Sequence, residues 1–226
     1  MPELPEVETT KRGIEPYISN QSIKKILVRN NKLRIPFNKK LAKEITNIEI
    51  SDIKRRAKYI IVDFANGYSI VIHLGMTGNL RVSKKIKYLK HDHIIFYLSS
   101  GNVLIYNDVR RFGLIQIYRT NESFFLLDNN GPDPFEKEAN ADYLFNKIKK
   151  STASIKSILL NHKVISGIGN IYASEILFAT NISPTRLGKD VSYDECKKIL
   201  QESKKILSKA IKAGGTTLND YFNAES

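Results

Sequence analysis

The chain has 226 residues, 42% of them hydrophobic, with 36 basic against 23 acidic residues and a formal net charge of +13. That is enough for one large domain or two modest ones with ample core; no apolar run approaches a membrane span, and the acidic, proline-containing start is unlike a signal peptide, so a soluble cytoplasmic protein is expected. The single cysteine, Cys196, excludes an internal disulfide and a multi-cysteine zinc site within this chain, and so large a cationic excess favours a polyanionic partner, nucleic acid ahead of a membrane surface.

The chain opens Met1-Pro2-Glu3-Leu4-Pro5-Glu6-Val7-Glu8. Removal of Met1 would leave Pro2 as a free secondary amine, and an α-amino group titrates near pH ~8, so a useful fraction is an unprotonated nucleophile at neutral pH. Leu4, Val7 and Ile14 recur at helical spacing and Pro5 suits a first turn, which predicts a short helix ending near Pro16. Glu3 and Glu6 lie within one turn of the amine. They are candidate acid–base partners, or simply acidic residues that complement the helix dipole.

Strand-like patterns follow at Ile23–Val28, across Ile45–Ile53, and in two hairpins, Tyr59–Phe64 with Tyr68–Leu74 around Asn66-Gly67, and Ile94–Leu98 with Val103–Tyr106 around Gly101. Leu114–Tyr118 adds another strand, and the set predicts an antiparallel sandwich or barrel. The turn-rich run Asn129 to Pro134 reads as a linker, dividing residues 1–130 from 131–226. Helices are expected at Tyr143–Ile148, at Ile155–Leu160 behind a Ser154 cap, and at Ile171–Ala179. A longer one opens on the capping box Ser192-Tyr193-Asp194-Glu195, carries a buried stripe that includes Cys196, and ends at Gly214-Gly215. His91 and His93 form a close pair with no acidic or cysteine cluster beside them, so no metal role is assigned.

Four stretches carry candidate chemistry. Arg55, Arg56 and Lys58 precede a strand and could grip phosphate. His73-Leu74-Gly75-Met76-Thr77-Gly78 places a flexible methionine on a glycine loop, and Asp108-Val109-Arg110-Arg111-Phe112-Gly113 joins paired arginines to an aromatic on a turn; arginine reads base edges and phosphate, and phenylalanine can insert between bases. Between two helices, Ser166-Gly167-Ile168-Gly169-Asn170-Ile171-Tyr172 suggests a helix–two-turn–helix whose backbone amides and Asn170 side chain would form a phosphate site. Solvated loops and ordinary core packing are the competing reading of each.

Four motifs in order along the chain, Pro2 to Glu6, His73 to Gly78, Asp108 to Gly113 and Ser166 to Glu175, resemble those of formamidopyrimidine-DNA glycosylases, bacterial enzymes that excise oxidised purines. The resemblance covers essentially the whole chain, and Leu4 and the Arg110-Arg111-Phe112 loop favour the oxidised-purine branch over the endonuclease VIII branch. It implies an α+β protein of two domains: an N-terminal antiparallel β-sandwich with a catalytic N-terminal helix, and a C-terminal helix–two-turn–helix domain.

The resemblance also implies roles. Pro2 would attack C1′ of the damaged nucleoside and hold the sugar as a Schiff base, Glu3 would be the acid–base partner, and Glu6 would support the lesion. Lys58 and Asn170 would grip phosphates and Lys156 would lie near the lesion. Met76, Arg110 and Phe112 would fill the gap in the duplex, with His73, Arg111 and Tyr172 as further DNA-contact residues. The partner would be damaged double-stranded DNA, bound by a monomer associated with the nucleoid.

Family members normally continue past Ser226 into a four-cysteine zinc hairpin; no metal or other cofactor is expected in this chain, and residues 216–224 would begin the loop covering the extruded base. The function implied is base excision with β,δ-elimination in repair. A truncated, catalytically weak damaged-DNA-binding remnant is the alternative.

Overall fold

The computed structural model describes residues 2–214, and the proposed base-covering loop at 216–224 lies outside them. The chain divides into two compact units, one holding Pro2 and Glu6–Ser123, the other Glu3–Pro5 and Phe124–Ala213. In chain order the elements are α1 Leu4–Ile18, β1 Ile23–Val28, α2 Ala42–Ile45, β2 Ile50–Arg56, β3 Tyr59–Phe64, β4 Tyr68–His73, β5 Gly78–Ser83, β6 Asp92–Leu98, β7 Val103–Asp108 and β8 Leu114–Arg119. Then come α3 Phe125–Asp128, α4 Ala141–Ile148, α5 Ile155–Leu160, α6 Asn170–Thr180 and α7 Tyr193–Lys212.

The first unit is a sandwich of two four-stranded antiparallel sheets, ordered β1-β6-β7-β5 and β2-β3-β4-β8. Alternation along the strands supplies its interior: Ile60, Val62, Ile70, Ile72, Ile94, Phe96, Leu104 and Tyr106 interlock in one apolar cluster with Val7 and Ile14 of α1. The β3–β4 connection is a three-residue loop in which Gly67, not Asn66, takes the positive φ of 79°. That geometry matches a turn closed by a glycine bulge.

Three expectations fail here for local reasons. Helix α1 runs through Pro16 to Ile18, because a proline so near the helix end costs only about one backbone hydrogen bond. The run Ile45–Ile53 splits into the end of α2 and the start of β2, with Asn47 at φ 64° turning the chain between them. Strand β5 was not anticipated; it begins on Gly78, and its pairing with β7 from Gly78↔Asp108 to Ser83↔Val103 makes it a strand.

The second unit packs α4–α7 around Leu144, Ile148, Ile155, Ile176, Cys196, Ile199 and Leu207, with Leu4 joining this core. Its helices begin where the sequence signals. Asn140 and Ser154 accept from Tyr143 N and Ser157 N, and Ser192 and Glu195 close a capping box on α7. Among the described residues no helix is long and apolar enough to cross a membrane.

Candidate active site

In the second unit, the two turns between α5 and α6 cradle the peptide Glu3–Leu4. Gly167, at φ +88°, accepts a hydrogen bond at its carbonyl from Leu4 N, 3.0 Å away, and a Cβ on it would meet Leu4 Cδ1 at 2.6 Å. A Cβ on Gly169 would stand 2.4 Å from Glu3 Cδ. The space both glycines vacate is filled by the N-terminal segment. Leu4 is fully buried, an anchor worth about 2 kcal/mol by apolar burial.

The Glu3 carboxylate, 2% exposed, accepts backbone hydrogen bonds at the N-terminus of α6: Gly169 N at 2.6 Å and Tyr172 N at 3.3 Å on Oε2, and Ile171 N at 2.9 Å on Oε1. These amides, unpartnered within the helix, also carry the positive end of its dipole, so they hold an anion firmly. This corrects the backbone part of the phosphate-site expectation: the amides of Gly169, Ile171 and Tyr172 go to Glu3, while the Asn170 side chain is exposed. The Tyr172 side chain is likewise 2% exposed and packs in the helical core, so its part in the site is the backbone N–H. Lys156 is half-buried on the first turn of α5.

In the first unit, Lys58 sits on the two-residue β2–β3 turn. Ala57 before it takes φ 54°, a conformation that costs a non-glycine residue roughly 1 kcal/mol. Arg55 supports that turn: Nη1 donates to Ala57 O at 2.9 Å and Nε donates to Glu8 Oε2 at 3.1 Å. Burial works against the Glu8 charge, but Arg12 and Arg55 outweigh it and hold the carboxyl below its ordinary value. Arg55 is therefore a brace for Lys58 and for α1, where a phosphate-gripping trio had been expected. Glu6 is buried on α1.

His73 ends β4. Its Nδ1 accepts from Gly75 N at 3.0 Å, which assigns the proton to Nε2, and its ring lies 4.9 Å from that of Tyr59. Burial first, then the Arg34 and Lys58 cations, push it down to about 4. At neutral pH it is a neutral N–H donor, not a cationic phosphate ligand. Because its folded value is depressed, the unfolded chain protonates first as pH falls. The stability contribution is full above pH ~6.5 and is lost down to about 4, at most about 3 kcal/mol. His73→Asn, which keeps an acceptor near Nδ1, should flatten that slope: the urea midpoint of the parent should fall more than the variant's between about pH 7 and about pH 5. Parallel falls would acquit His73.

The His73–Gly78 and Asp108–Gly113 loops share one organiser, Asp108, which is fully buried. Its Oδ1 accepts from Thr77 Oγ1 (2.6 Å) and Arg110 N (3.2 Å), and its Oδ2 from Gly113 N (2.9 Å) and Tyr106 Oη (3.1 Å). Backbone meets backbone beside it: a Cβ on Gly75, at φ +63°, would lie 2.4 Å from Gly113 N. So fixed, the loops present Met76 at 40% and Phe112 at 48% exposure, with the Arg110 guanidinium 4.6 Å over the Phe112 ring. Arg111 is exposed at φ 59°. Asp108 opens the motif, but its role as the fastening had no signal in sequence; four donors converge on it only after folding.

Geometry thus joins Pro2, through one peptide bond, to a carboxylate held in place, and separately sets apolar and cationic side chains on a rigid pair of loops. The model of the formamidopyrimidine-DNA glycosylase N-terminal domain matches residues 1–115, and that of the corresponding H2TH domain matches residues 130–221. The chain belongs to the formamidopyrimidine-DNA glycosylase family. It is a DNA glycosylase of DNA repair by that membership.

The formamidopyrimidine-DNA glycosylase of Rickettsia felis is 41% identical over all of this chain and 83% of its own length; that of Klebsiella pneumoniae is 42% identical with the same coverage. Among solved structures, the Lactococcus lactis enzyme non-covalently bound to DNA containing an AP site superposes with TM-score 0.88 at 33% identity, covering 95% of this chain and 83% of that one. The Thermus thermophilus protein gives 0.85 at 30% identity, covering 97% of this chain and 79% of that one. The N-terminal sandwich and C-terminal helical architecture of the family is the one described above.

Proposed function

We propose that the chain is a bifunctional glycosylase and AP lyase that removes oxidised purines, 8-oxoguanine and formamidopyrimidines, from duplex DNA with Pro2 as nucleophile. The observation that carries this reading is the Glu3 clasp, which fixes the residue next to the amine. The Pro2 nitrogen bonds to C1′ as the bond to the base breaks and the base leaves with a proton. The sugar ring then opens, O4′ takes a proton, and the C1′–N bond becomes an iminium. Loss of a C2′ proton expels the 3′ phosphate, and a second elimination expels the 5′ phosphate. Glu3 serves these proton transfers at the sugar, and Glu6 supports the lesion.

Lys58 and Asn170 grip phosphates, with Lys156 near the lesion. Extruding a nucleotide costs a few kcal/mol, and Met76, Arg110 and Phe112 offset it by filling the vacated stack, Arg110 facing the orphaned cytosine. Arg111 and the neutral His73 add contacts to the duplex, and Tyr172 acts through its amide on Glu3. The division at 130/131, a monomeric state and a cytoplasmic, nucleoid-associated location belong to the same reading. No step uses a metal. The family's zinc needs four cysteines; these 226 residues hold only Cys196, whose thiol burial, with Glu195 nearby, pushes up to about 11, so that the ligating thiolate is scarce.

Borohydride trapping tests the proposal on duplexes bearing 8-oxoguanine opposite cytosine and, separately, an abasic site. A covalent adduct on both is expected. An adduct on the abasic duplex alone would remove lesion excision from the proposal, and none on either, with Met1 shown to be absent, would overturn the nucleophile.

A further inference from the structure

The loop between β5 and β6 is not used by anything above. Its residues 84–90, Lys84-Lys85-Ile86-Lys87-Tyr88-Leu89-Lys90, are all exposed, and none of them is acidic. The carboxylate that follows, Asp92, is 2% exposed and takes both its oxygens to Arg81, at 2.7 and 2.6 Å. The lysine charges are therefore not offset locally.

This loop is built, not merely solvated. Ser83 Oγ donates to Lys85 O at 2.6 Å, and Leu89 N donates to Asp92 Oδ2 at 2.8 Å. Arg29, just past β1, donates to Leu89 O at 2.9 Å while its guanidinium lies 4.6 Å over the Tyr88 ring. The Tyr88 hydroxyl meets that of Tyr97 at 3.1 Å, and Lys25 Nζ stands 5.7 Å over the Tyr97 ring. Rings that prop cations in place reduce the side-chain entropy lost when those cations bind an anion.

Its course gives direction. The loop leaves β5 at Ser83, paired with Val103, and returns at Asp92, paired with Asn107, so it runs back along the strand pair for ~14 Å at ~3.4 Å per residue. It ends at the root of the Asp108–Gly113 loop, where Asp108 N donates to His91 O at 3.1 Å. A cationic stripe thus starts at the foot of the loop that carries Arg110 and runs away from it. Each strand of a duplex carries a phosphate every ~3.4 Å of axis, so such a stripe spans roughly four of them.

We propose that Lys84, Lys85, Lys87 and Lys90, with Lys25 and Arg29, form a phosphate-binding stripe that extends the duplex DNA footprint beyond the lesion. The proposal rests on the glycosylase reading, and its test separates the two. The intact chain and a Lys84→Gln/Lys85→Gln/Lys87→Gln/Lys90→Gln variant are titrated over a range of salt against an 8-oxoguanine duplex of about twenty-five base pairs and against two shorter duplexes whose lesion lies about two base pairs from one end or from the other, so that one of them lacks the arm that follows the stripe. On the long duplex the slope of log Kd against log salt should shrink by about 3, with affinity about tenfold weaker or worse at physiological salt. The short duplex that lacks that arm should bind both proteins alike, and single-turnover excision from the long duplex at saturating protein should not change.

Equal slopes on the long duplex would overturn the stripe, as would equal losses on all three duplexes, which would indicate a general field. Binding of the parent, but not the variant, to phosphatidylglycerol vesicles with unchanged DNA slopes would assign the loop to a membrane and overturn it too. Failure of the parent to excise from the long duplex would count against the glycosylase reading alone, because the slopes are measured without turnover.

Discussion

Pro2→Gly should lower single-turnover excision and borohydride trapping by about three orders of magnitude or more, while affinity for a lesion duplex stays within about threefold. Glycine keeps an α-amine, so the expectation rests on what the ring adds. A secondary amine condenses with an aldehyde to an iminium that has no N–H to lose. Its positive charge persists at any pH, and it draws the C2′ proton and the 3′ phosphate away without a further protonation. A primary amine gives a neutral imine that must first be protonated. The ring also fixes φ near −65°, whereas glycine makes the first residue the freest in the chain. Binding is spared because phosphate contacts supply most of the affinity and Pro2 makes none of them. Mass spectrometry must show that Met1 is absent from both proteins. Equal trapping by parent and variant would remove the amine from the mechanism.

How much of this was legible differs between local and tertiary features. Ile23–Val28 is a short run rich in Ile and Val, Ser192 and Glu195 sit at capping-box spacing, and Ser154 precedes an apolar run; each is a short-range signal, and β1, α7 and α5 follow it. Strand β5 has almost no local signal, since Gly78 opens it and β7 supplies its partner. At the site, residue identities were readable because the motifs resemble a family's, but their directions were not. Nothing in Ile171-Tyr172 says which side chain faces inward, and Ile171 is 47% exposed while Tyr172 is buried. Nor could spacing show that the helix-start amides, which attract any anion, are taken by a carboxylate 166 positions earlier in the chain. Two generic rules competed for one helix N-terminus, and folding gave it to Glu3.

That competition yields the second large effect. Gly169→Ala should leave the protein folded and cut excision by about a hundredfold or more, the range lost when an acid–base group is displaced. The new methyl would stand 2.4 Å from Glu3 Cδ and 2.6 Å from Oε1, too close for both to stay. Gly169 has φ −128°, which alanine adopts without strain, so the backbone has no reason to move. The Glu3 carboxylate is the far end of a flexible side chain, so it is what gives way. It leaves the amides of Gly169, Ile171 and Tyr172 short of an acceptor, a stability loss of about 2 kcal/mol.

Gly167→Ala should behave differently. At φ +88° and 2.6 Å from the buried Leu4 Cδ1, its extra carbon strains the backbone and the core together, so stability falls with activity. A double-mutant cycle isolates the mechanism. If Gly169→Ala acts by displacing Glu3, then adding it to Glu3→Gln should cost almost nothing further in excision rate. Additive losses, or full excision by Gly169→Ala alone, would mean that the held carboxylate is a structural fastening and that the proton transfers at the sugar belong to another group.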